Sequence, residues 1–75
     1  MNAEQIAQEF KNALDAMRNG TDEEAIEAAQ NIQMMLSVEY PVRAVLDVIH
    51  EDGSTWDELL DETDAVIEVI TGKGI

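Results

Sequence analysis

Three breaks set what this chain can fold into: Asn19-Gly20-Thr21, Tyr40-Pro41 and Glu51-Asp52-Gly53-Ser54-Thr55. Each closes one helix and opens another. Gly20 stands just past a helix end, where positive φ is expected. Thr21, with Glu24 three residues later, forms a Thr-x-x-Glu capping box. Pro41 disfavours helical geometry at Tyr40 and suits the first turn of a new helix. Gly53 ends the third stretch, and Thr55 with Glu58 repeats the capping box. Asn2 with Gln5 is a weaker version at the start. The breaks predict helices over roughly 2–19, 21–37, 41–51 and 55–71.

At about 100° per residue the first stretch gathers Ile6, Phe10, Ala13, Leu14 and Met17 within about 80°, an ordinary amphipathic face. The last places Trp56, Leu59, Leu60, Thr63, Val66, Ile67 and Ile70 on one side. The two middle stretches are apolar over a wider arc. In the second, Ala25, Ala28, Ala29, Ile32, Met35 and Leu36 form the main face, while Ile26 and Met34 fall outside it. In the third, Val42, Val45, Leu46 and Ile49 form the main face, with Ala44 and Val48 on another side. A helix apolar nearly all round is covered on several sides. The stretch from Met34 to Ile49 is therefore expected at the centre of the bundle or at a dimer contact. Arg43, Asp47 and Glu51 recur every four residues, which favours helix over strand for the Val-rich third stretch. The fold class expected is all-α: one small domain over 1–75, a four-helix bundle able to dimerise through helices 2 and 3, with a frayed tail at about 72–75.

Charge then narrows the partners. Seventeen Asp and Glu face four Lys and Arg, a formal net charge of −13. Direct binding of DNA or RNA rests on basic residues neutralising phosphates, so it is excluded. Anionic membrane surfaces are disfavoured for the same reason, and no run of residues is apolar enough for a span. The field attracts basic protein surfaces instead. High charge is also a disorder signature, but 45% of the residues are apolar and they are periodically placed. There is no cysteine, hence neither a disulfide framework nor a thiolate metal site. Met1 to Phe10 lacks the basic start and apolar core of a signal peptide, so a cytoplasmic protein is expected.

The acid is concentrated. Nine acidic residues lie between Asp47 and Glu68 with no Lys or Arg among them. On helix 4, Asp57, Asp61, Asp64 and Glu68 fall within about 60° and rise about 4.5–6 Å from one to the next. Glu58 and Glu62 form a shorter row on the other flank. Asp47, Glu51 and Asp52 extend the field around the preceding turn. Like charges at this spacing destabilise a helix by a few tenths of a kcal/mol per pair. Three readings follow. The row is the solvated face of an acidic protein, it imitates phosphates and occupies the basic groove of a nucleic-acid-binding protein, or it binds cations weakly.

Other chemistry finds little support. With Gly53 as sixth residue of a calcium loop, Val48 would be first and Leu59 twelfth, and neither is a ligand. His50, the single histidine, reads as a helix-end residue near the C-terminal dipole. Ser37, Ser54 and Thr55 already have turn or cap roles. Length, acidity and four helices suit acyl carrier proteins, which hold a prosthetic arm on the serine of an Asp-Ser-Leu motif. Here Ser37 stands in Leu36-Ser37-Val38 and Ser54 in Gly53-Ser54-Thr55, so that resemblance is rejected. No catalytic residue, cofactor or metal site is expected. Ile26, Met34 and Tyr40 read first as a second core layer. With Gln30, Gln33 and Val48 they otherwise form a contact for a partner or a second copy. The leading expectation is a non-catalytic acidic protein that blocks a basic, nucleic-acid-binding surface, a kind of inhibitor suited to phages and mobile elements. The alternative is an adaptor or self-associating module acting through apolar helix faces, its acidity serving solubility.

Overall fold

A computed structural model describes residues 2–37 and 42–72. It contains α1 (Ala3–Asn19), α2 (Asp22–Ser37), α3 (Val42–Asp52) and α4 (Trp56–Gly72), and no strand among the described residues. The fold is a small all-α bundle of four helices.

The caps account for the helix starts. The Asn2 side chain accepts from the Gln5 backbone N–H at 2.9 Å, and the Gln5 side chain accepts from Asn2 N–H at 3.1 Å. Thr21 and Glu24 close a second reciprocal box at the start of α2, at 3.0 and 3.3 Å. Before α4 only half of the box forms: Glu58 N–H donates to Thr55 Oγ1 at 3.2 Å. The end of α3 is a Schellman motif. Gly53 has φ +81°, its N–H donates to His50 O, and Ser54 N–H donates to Ile49 O.

Gly20 corrects the expectation of positive φ. Its backbone is extended, at φ −85° and ψ −178°. Space is what requires glycine there. A Cβ would lie 2.5 Å from Ala16 O and 3.0 Å from Glu24 Cβ. The close approach lets α1 and α2 fold back on each other across two residues.

Extensive interfaces join α1 to α2, α2 to α4 and α1 to α3. The core is continuous across them: Ile6, Phe10 and Leu14 of α1, Ile32 and Leu36 of α2, Val45 and Ile49 of α3, and Leu59 of α4. The long axis of 39 Å exceeds one 17-residue helix, about 25 Å, so the helices are staggered.

Of the stretch from Met34 to Ile49 expected at the centre, Met35, Leu36, Ala44, Val45, Val48 and Ile49 are buried in the core, which they share with α1 and Leu59 of α4. In α3 the buried face is turned relative to expectation. Ala44, Val45, Val48 and Ile49 are buried, whereas Leu46 is 44% exposed. Both apolar sides of this short helix are used within one chain, because α1 lies across them. The side once available for a second copy at Val48 is closed.

Candidate protein-binding surface

The rotation of α4 is set by Leu59 and Thr63, both buried against α2 and the core. Thr63 is polar yet fully covered, and its hydroxyl is satisfied. It donates to Leu60 O at 2.8 Å and accepts from Gln33 Nε2 at 3.1 Å. The same Gln33 amide donates to Asp64 Oδ1 at 2.6 Å. One side chain of α2 thus locks both the inner and the outer edge of α4.

With that face turned inward, Asp57, Asp61, Asp64 and Glu68 lie on the exposed surface of α4. The row runs about 16 Å along the helix axis. Among the described residues, the carboxylates of Asp57, Asp61 and Glu68 meet no hydrogen-bonding or ion-pairing side chain, and Asp64 meets only Gln33. Asp47 and Glu58 are also exposed without such a partner among the described residues. Neighbouring carboxylates about 7 Å apart repel by about 0.6 kcal/mol in water before screening. Physiological salt, with a Debye length of about 8 Å, reduces this to a few tenths.

The rest of the expected acidic set behaves differently. Arg18, at the end of α1, is clamped by two carboxylates from two other helices. Its Nη1 and Nη2 donate to Asp52 at 2.6 and 3.1 Å, and its Nε and Nη2 donate to Glu62, both at 2.9 Å. Both pairs are bidentate, the stronger form of the arginine–carboxylate contact. The hydrogen bonds that it donates to Glu62 first and to Asp52 second hold the guanidinium still more firmly protonated than usual. The Asp52 carboxyl is held below its ordinary range, by Arg18 first and then by the Ser54 hydroxyl. Glu51 pairs with Lys11 at 3.4 Å in an exposed contact. Asp52 and Glu62 therefore tie α3 and α4 to α1, whereas the outward row on α4 makes no ion pair among the described residues.

The apolar candidates separate as well. Met34 is 52% exposed, Gln30 is exposed and Ile26 is half-buried. Gln33 is half-buried and hydrogen-bonded to α4, and Val48 is only 4% exposed within the core, so Val48 is closed to a partner in this arrangement. Tyr40 lies outside the described residues. His50 is exposed in the last turn of α3. Among the described residues no group of three or more acidic or histidine side chains converges to hold a metal ion. Nor is any helix there long and apolar enough to cross a membrane.

Two features escaped sequence reasoning. Arg18 lies outside the apolar face of the first stretch, and nothing in its spacing reveals that Asp52 and Glu62 converge on it. A groove between α1 and α2 was also missed, although Ala13, Ala16 and Ala28 at helical spacing were its visible trace. Comparison with protein-family models, with curated proteins and with solved structures finds no match to this chain.

Proposed function

We propose that the protein is a non-catalytic binding module whose α4 face engages the basic surface of another protein, most specifically one that otherwise holds nucleic acid. A single observation carries this reading. Lys11 and Arg18 are consumed by Glu51, Asp52 and Glu62 inside the molecule, while the outward row on α4 meets no cation among the described residues. A row of carboxylates that rises about 4.5–6 Å along the helix axis at each step offers a basic groove what a phosphate backbone offers. Association of this kind is fast and falls steeply with salt.

The test is capture from a bacterial lysate by the immobilised protein, with release by rising salt and by competing DNA. Identification of the released protein follows by mass spectrometry. The same capture is run with the D57N/D61N/D64N/E68Q variant. The amide introduced by Asp64→Asn keeps an oxygen for Gln33, and circular dichroism checks the fold. Release of a nucleic-acid-binding protein by DNA, and its absence from the variant's eluate, supports the proposal. Equal capture by the variant removes it.

A second reading, an adaptor acting through apolar surface, is favoured by Met34 and by Val69, which is 60% exposed. Sedimentation of the wild type against the M34E variant tests it. Identical behaviour, with the same partners retained, counts against it.

A further inference from the structure

The side of the α1–α2 pair remote from α4 carries a groove of about 510 Å³. Its floor is made of small residues, Ala13 and Ala16 from α1 and Ala28 from α2, with Met34 and Met35 toward one end. Carboxylates stand along it: Glu9 on α1, Glu24 and Glu27 on α2. Asn12 and Asn31 also line it, and among the described residues no Lys or Arg does. Gln33, which reaches α4, lies about 160° around α2 from Met35, so this surface shares no residue with the acidic row.

We infer that this groove is a docking site for a basic amphipathic helix of a partner protein. Charge complementarity names the occupant. Three rim carboxylates around an apolar floor select apolar side chains flanked by Lys or Arg. The Thr21 cap bonds fix the Glu24 carboxylate at the start of α2 and hold it below its ordinary range. Geometry names the shape. Two helices folded back on each other leave a furrow that takes a third helix, and an alanine floor lets its backbone come close. From Glu24 to Met35 the furrow runs about 16 Å, three turns of a bound helix. Met34, half exposed and unbranched, adapts to the apolar side chains of the incoming face. The inference goes beyond the α4 reading and stands on different residues.

The probe is a synthetic helix of about 14 residues, leucine at helical spacing on one face and lysine elsewhere. It is titrated into isotope-labelled protein at moderate salt and followed by amide chemical shifts. Shifts at Ala13, Ala16, Ala28 and Met34 are expected. The E9K/E27K variant, with its fold checked by circular dichroism, should bind at least about tenfold more weakly, as should a scrambled peptide of the same composition. The D57N/D61N/D64N/E68Q variant should keep its affinity within about threefold, since it leaves the groove intact. Equal binding of the scrambled peptide overturns the inference by reducing it to net charge. Shifts confined to α4, or none at millimolar peptide, also overturn it. So does self-association through Met34 without peptide, which would make a second copy the occupant. Failure of the α4 reading shows instead in the lysate capture, leaving the two proposals separable.

Discussion

Arg18→Gln tests whether the bundle is held at its polar seam as well as its core. The guanidinium joins α1 to the end of α3 and to α4 through two bidentate pairs. Exposed ion pairs contribute about 0.2–1 kcal/mol each. These two have good geometry, and their side chains are only 33% (Arg18), 21% (Asp52) and 33% (Glu62) exposed. After allowance for solvent screening, their joint contribution is about 1–2 kcal/mol. For a domain of this size that lowers Tm by roughly 5–15 °C. Urea denaturation of both proteins across pH gives the decisive curve. Asp52 is depressed below its unfolded value of 3.8 by the Arg18 bonds. A depressed carboxyl stabilises fully above the unfolded pKa and loses that contribution as pH falls through the folded one. The difference between wild type and R18Q should therefore be flat from pH 7 to about 5 and shrink below about 4. Repulsion common to both proteins cancels from the comparison. A difference that persists at pH 2 and in 1 M salt would refute the ion-pair account and assign the effect to packing of the arginine stem.

Three further outcomes follow from the same structure. Gly20→Ala should cost about 1–3 kcal/mol, because the new Cβ meets a backbone oxygen; urea midpoints near wild type would disprove the close-approach account. Gly53→Ala meets no atom within 4 Å and should lose only the about 1–2 kcal/mol of its positive φ. Phe10→Ala removes the centre of the core and should cost about 3–5 kcal/mol. Against a total of about 4–11 kcal/mol expected for 75 residues, that removes a large share of the stability, read as a much lower urea midpoint.

Helix number and ends were legible because each end carries its own local chemistry. Asn2, Thr21 and Thr55 cap helices as their sequence positions indicate, and Gly53 takes positive φ. Gly20 shows the limit. Glycine at a helix end reads as backbone conformation, but the requirement here comes from Ala16 and Glu24 pressing on it. Helix 3 shows another limit. Periodicity locates an apolar face only when the opposite face is polar, and Leu46 and Val48 leave two solutions open. The crossing of α1 over Ala44 and Val48 decided between them. The acidic row was legible as geometry on one helix. That Asp52 and Glu62 would leave the field to clasp Arg18 was not, because 34 and 44 residues separate them from it.

The helix carrying the row would be more stable without part of it. α4 has no basic residue in its last turn, and its Thr55–Glu58 box is half made. Asp57, in the first turn, is favoured by the helix dipole. Asp61 and Glu68 are not. They add like-charge pairs with Asp57, Glu58 and Asp64, at about 0.2–0.5 kcal/mol each. What keeps α4 helical is burial of Leu59 and Thr63 and the Gln33 amide, none of which needs Asp61 or Glu68. The D61N/E68Q variant should therefore gain about 1 kcal/mol, read as a Tm higher by roughly 4–8 °C at low salt, with the gain shrinking as salt is added. If capture of a basic partner falls in the same variant, the row stabilises the complex at the expense of the helix. A lower Tm for D61N/E68Q would show that the row supports the fold and would take away the physical ground for reading it as a binding surface.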